Sequence, residues 1–63
     1  MTQKELLYIE DAISHEKVIK ANIVDYINCI QDTELIDFMK KELKIHEKQE
    51  KDLIKLLESE SNE

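Results

Sequence analysis

The sequence predicts an all-α protein, an antiparallel two-helix hairpin that pairs as a homodimer into a four-helix bundle. Three observations carry this. The 63 residues contain no Gly and no Pro, so the usual breakers of helices are missing throughout. Apolar residues recur at alternating steps of three and four over almost the whole chain. A chain of this length rarely builds more than ~3–5 kcal/mol of stability from its own core, and its single Cys cannot form a bridge within the chain. A partner chain or a metal is then the expected support.

The elements follow from local signals. Thr2 followed by Glu5 forms a capping box, with Met1 and Leu6 placed to staple it, so helix 1 starts there. Its apolar spacing continues to Ile30. Gln31-Asp32-Thr33-Glu34 then supplies an N-cap candidate and an acidic first turn for a second helix. The expected hairpin occupies residues 1–58, with helix 1 over about 3–31, the turn at 31–33 and helix 2 over about 34–58. Residues 59–63, Ser-Glu-Ser-Asn-Glu, are expected to be a frayed acidic tail. Two such rods, roughly 35–45 Å long at 1.5 Å per residue, must lie antiparallel across so short a turn. Each then covers one face of the other and leaves an adjoining stripe for a second hairpin.

The stripe itself is interrupted. In helix 1 it consists of Leu6, Ile9, Ile13, Glu16, Lys20, Ile23, Ile27 and Ile30. In helix 2 it consists of Ile36, Met39, Leu43, His46, Glu50, Leu53 and Leu57. The core and dimer contacts are expected from Ile9, Ile13, Ile23, Ile27, Met39, Leu43, Leu53 and Leu57, with Ala12, Ile19, Tyr26, Phe38, Ile45 and Leu56 widening the buried stripe. Glu16, Lys20, His46 and Glu50 fall at matching heights and form one polar layer between apolar ones.

Two explanations of that layer stand side by side. One is an ion-pair network, Glu16 with Lys20 and His46 with Glu50 at i,i+4, which sets register and oligomeric state. The other is a metal site for Fe, Mn or Zn made by Glu16, His46 and Glu50 from both subunits, since four carboxylates and two imidazoles are the ligand set of two-metal bundles. Those bundles place Glu three residues before His on one helix. Here position 43 is Leu and the available order is His46-x-x-x-Glu50, while Lys20 adds a positive charge beside any cation. Glu47 is a substitute ligand one step off the stripe.

Other polar candidates carry less. Asp11 and His15, four apart, read as a solvated helix pair that resembles a ligand pair; Tyr8 and Tyr26 read as aromatics at the core edge. Cys29 fits a reducing compartment. There is no Ser-His-Asp set, Cys-His pair or Gly-rich loop, and two helices enclose no deep cleft, so no catalytic residue is assigned and the chain is not expected to be an enzyme. Nine Lys against fifteen Asp and Glu give a net charge of −6, which argues against nucleic acid and anionic lipid as partners. No apolar run reaches the ~18 residues of a spanning helix, and the start lacks the features of a signal peptide, so an intracellular protein is expected.

The order Glu5-Leu6-Leu7, Glu10-Asp11, Ser14-x-Glu16-Lys17, Asp25-Tyr26, Gln31-Asp32-x-Glu34-Leu35, His46, Leu53 and Leu56-Leu57 resembles the small spore-coat proteins of the coat protein F type. These belong to the ferritin-like helical group of spore-forming Firmicutes. The resemblance covers roughly residues 4–57 and is most specific at Gln31-Asp32-x-Glu34-Leu35. Many relatives have Pro after the turn Asp, where this chain has Thr33. The resemblance implies a ferritin-like hairpin completing its bundle by pairing, a place in the cytoplasm, spore or spore coat, and other coat proteins as further partners. It implies no ferroxidase or peroxidase chemistry, because Leu43 stands where the metal motif would need a ligand.

The functional expectation is therefore a non-enzymatic structural or interaction protein. A small carboxylate and His metal-binding bundle is the first alternative. A regulatory hairpin that docks its apolar face on a signalling protein is the second.

Overall fold

The computed structural model describes residues 1–61 and contains two helices, α1 (Gln3–Cys29) and α2 (Thr33–Ser61), packed against each other. Among the described residues there is no strand. The expected capping box opens α1: Thr2 Oγ1 accepts the Glu5 N–H (3.1 Å) and Glu5 Oε1 accepts the Thr2 N–H (2.8 Å). The backbone N–H of Thr2 and the Thr2 hydroxyl hold the Glu5 carboxyl below its ordinary range, so this cap weakens as pH falls through that lowered value.

Helix α1 stops at Cys29, two residues earlier than expected, because Ile30 turns to extended backbone (φ −95°, ψ 142°). Asp32 explains why the next helix starts so soon. Its side chain accepts the Leu35 N–H (3.0 Å) and its carbonyl accepts the Ile36 N–H (3.0 Å), which makes it the N-cap of α2. The connection is thus Ile30-Gln31-Asp32 rather than 31–33. Replacing Asp32 by Ala removes the cap and should lower stability by about 1 kcal/mol, read as a shift of the urea midpoint at unchanged slope.

Helix α2 continues to Ser61, past the expected end at 58. Glu58-Ser59-Glu60 holds no breaker, and Glu60 Oε2 lies 3.7 Å from the Met1 ammonium, beside the start of α1. Residues 59–61 are therefore helix and not a frayed tail; residues 62 and 63 of that tail lie outside the described residues.

Every residue of the interrupted stripe is buried or half-buried, as the three-four spacing requires. Among the described residues, only Ile13 and Ile23 are nevertheless buried rather than half-buried or exposed. The hairpin measures 47 × 14 × 11 Å with a radius of gyration of 14.6 Å, against about 10.6 Å for a compact chain of this length. Of the residues expected to widen the buried stripe, Ala12 and Ile19 are half-buried, whereas Tyr26, Phe38, Ile45 and Leu56 are exposed. A single neighbouring helix covers only the seam, and side chains one step to its side reach past it. Glu42 and Ile54, not anticipated as shielded, are half-buried because they adjoin the seam residues Leu43 and Leu53.

Candidate functional site

The four polar seam residues do converge at mid-length, but with different pairings from those expected. His46 Nδ1–H donates to Glu16 Oε2 (2.6 Å), and Lys20 Nζ donates to Glu50 Oε1 (2.7 Å). Both bonds cross from α1 to α2, replacing the i,i+4 pairs Glu16 with Lys20 and His46 with Glu50. The reason is geometric. The seam places Glu16 level with Glu50, two carboxylates, and Lys20 level with His46, an amine and an imidazole, so neither level sets a donor opposite a carboxylate. Cα–Cβ bonds tilt toward each helix's own N-terminus, and in an antiparallel pair this aims Lys20 and Glu50 at each other along one diagonal. Glu16 and His46 take the other diagonal.

The quartet is shielded, not sealed. Side-chain exposure is 26% for Lys20, 12% for Glu50, 22% for His46 and 14% for Glu16. These values place the layer well above the exposed Lys48–Asp52 pair (2.9 Å; 77% and 56%) in structural weight, since solvated i,i+4 pairs contribute little. One atom is left over: Glu50 Oε2 is buried and has no hydrogen-bond partner. Water or a further chain must supply its donor.

The hydrogen bond to Glu50 raises the Lys20 pKa above the ordinary lysine value, with the charges of Glu50, Glu47 and Glu16 adding to it against the desolvation of the amine. A raised folded-state pKa means that the pair's contribution is complete below the unfolded value and is lost as pH rises through the folded one. Urea midpoints followed from about pH 9 to about pH 12 should therefore fall more steeply for the native chain than for Lys20→Met. Parallel slopes would show that the pair is not coupled to folding.

As ligand candidates, Glu16, His46 and Glu50 lie close together, but Glu16 is taken by His46 and Glu50 by Lys20. Among the described residues no group of three or more His, Cys, Asp and Glu is placed to hold a metal ion. Glu47 is exposed and lines an open groove with Lys20, Ala21, Val24, Asp25 and Leu43. Asp11 and His15 are both exposed, as are Tyr8, whose ring lies 5.9 Å from Lys4 Nζ, and Tyr26. Cys29 is a free, exposed thiol. Ile9, Ile13, Ile23, Ile27, Met39, Leu43, Leu53 and Leu57 are buried or half-buried along the α1–α2 seam of a single chain.

No helix among the described residues is long and apolar enough to cross a membrane. No family model, curated protein or solved structure matches the chain.

Proposed function

We propose that this chain is a non-enzymatic structural or interaction protein that acts as a homodimeric four-helix bundle, with the crossed quartet as a central polar layer that fixes register. The observation that carries the reading is the large accessible surface, on which Tyr26, Leu35, Phe38, Ile45 and Leu56 stand exposed. The hairpin exposes 5039 Å², against about 4,200 Å² for a globular chain of 7.5 kDa. The excess of about 800 Å² is what one partner contributes to a standard stable interface. Two buried side chains cannot hold a rod 47 Å long, whereas a second hairpin doubles the number of packed faces.

The spore or spore coat is the setting this reading takes from the resemblance over residues 4–57, with other coat proteins as further partners. A metal-binding bundle is the alternative, and the orphaned Glu50 Oε2 is the observation on its side. It requires Lys20 to leave Glu50 before a cation can approach.

Light scattering over a hundredfold range of concentration tests the main reading. A mass of about twice 7.5 kDa is expected. A persistent monomer would contradict it and favour docking on a different protein. Added Mn²⁺, Fe²⁺ or Zn²⁺ should leave the melting temperature unchanged; a metal-dependent rise that is lost in Glu50→Gln and His46→Ala would replace the structural layer by a metal site.

A further inference from the structure

The larger share of the uncovered apolar surface lies on one side of the hairpin, with Leu7, Val18 and Val24 exposed elsewhere. In antiparallel helices, the positions flanking the seam on one side of α1 meet the corresponding flank of α2. The grooves confirm this. Ala21 and Val24 share one with Glu47, whereas Gln49, Asp52 and Leu56 line another with Glu16 on the opposite side.

The second side carries all three aromatic residues of the chain, Tyr8, Tyr26 and Phe38, with Leu35, Ile45 and Leu56, each of them exposed. It carries none of the nine lysines: Lys20 sits in the seam and the other eight point to the remaining faces. Aromatic enrichment with lysine depletion is the composition of an interface core.

The face is divided along its length. Its larger apolar group lies toward the turn, where Tyr26 (53% exposed) and Phe38 (55%) stand near one height with Leu35 and Ile45 close by. His15, Gln49 and Asp52 follow with Ala12 at mid-length, Asp52 solvated beside Lys48, and a smaller apolar pair, Tyr8 and Leu56, lies toward the open end.

We propose that a second copy covers this face with its turn at the same end, the two-fold axis running along the bundle. The proposal rests on the homodimer reading and adds its face and orientation. With turns together, Tyr26 meets Phe38 of the second copy, the half-buried Glu42 meets an amide donor in Asn22, and His15 stands near the height of Asp52. With turns at opposite ends, Glu42 would be pressed against the second copy's Tyr8 and Leu56, which offer its carboxylate no matching amide donor, and Asp52 would lose solvent against Ile19 with Lys48 as its donor.

Cys29, near the turn, reads the orientation. A short bis-maleimide should link two native chains through Cys29 into a covalent dimer, and should equally link two chains of Cys29→Ser with Ser59→Cys at the open end. A mixture of the two proteins, unfolded and refolded together, should give no mixed product beyond random collision. With turns at opposite ends, the two Cys29 thiols would be about 40 Å apart and only the mixture would link efficiently. That pattern would overturn the orientation while leaving the homodimer intact. Light scattering on the same samples decides the other case: a monomeric mass would overturn the dimer reading and the inference together, and assign this face to a different protein.

Discussion

Replacing Phe38 by Asp is expected to abolish the dimer and, at micromolar concentration, to take most of the helix content with it. In the isolated hairpin Phe38 is 55% exposed, so the substitution removes little that one chain uses. In the proposed dimer the ring would be covered, and burying a large apolar side chain contributes about 2–3 kcal/mol. A two-fold interface counts every substitution twice, which gives roughly 5 kcal/mol and a dissociation constant raised by about three to four orders of magnitude. The carboxylate adds a desolvation penalty of its own. Val18→Asp is the matched control, because Val18 is 60% exposed on a different face. Its mass and helicity should remain native. Equal behaviour of the two variants in sedimentation and circular dichroism would remove the assignment of this face as the interface.

The second large effect has the opposite sign. Replacing Glu16, Lys20, His46 and Glu50 together by Leu should leave stability equal or higher, by about 1–4 kcal/mol, while broadening the set of registers and oligomers. The four groups spend part of their interaction on desolvation, and no side chain or backbone group among the described residues donates to Glu50 Oε2. An apolar layer has no such deficit. It also lacks the crossed bonds Glu16 to His46 and Lys20 to Glu50, which are satisfied only when the helices stand at one height. Exchange-broadened spectra or mixed masses in the Leu variant, with a raised urea midpoint, are the expected outcome. A large loss of stability would mean that the layer is a source of cohesion and not of register.

Most of the architecture was legible because helical periodicity is strict and nothing interrupts it. The capping box at Thr2 and Glu5 and the seam from Leu6 to Leu57 depend on local spacing and stand as read, and the N-cap expected within Gln31-Asp32-Thr33-Glu34 is Asp32. The pairing inside the quartet was not legible. Glu16 can reach Lys20 along its own helix as easily as His46 across the gap, and the choice depends on the relative height of the helices, which the three-residue connection at Ile30-Gln31-Asp32 sets. The uncovered side has a related cause. Tyr26, Phe38, Ile45 and Leu56 are apolar and adjoin the stripe, but in the lone hairpin one helix is too narrow to cover them, so their expected burial would fall to the proposed second copy. A signal for their face existed in the distribution of lysine around the two helices, which spacing along the seam does not register.

The central claim is that this chain folds stably only with a second copy, and the dependence of its melting temperature on concentration tests that most directly. For two chains unfolding as one unit, a tenfold increase in concentration should raise the midpoint by about 5 °C. A midpoint that stays constant from micromolar to millimolar chain, with full helix content throughout, would show that the lone hairpin is sufficient and would contradict the account.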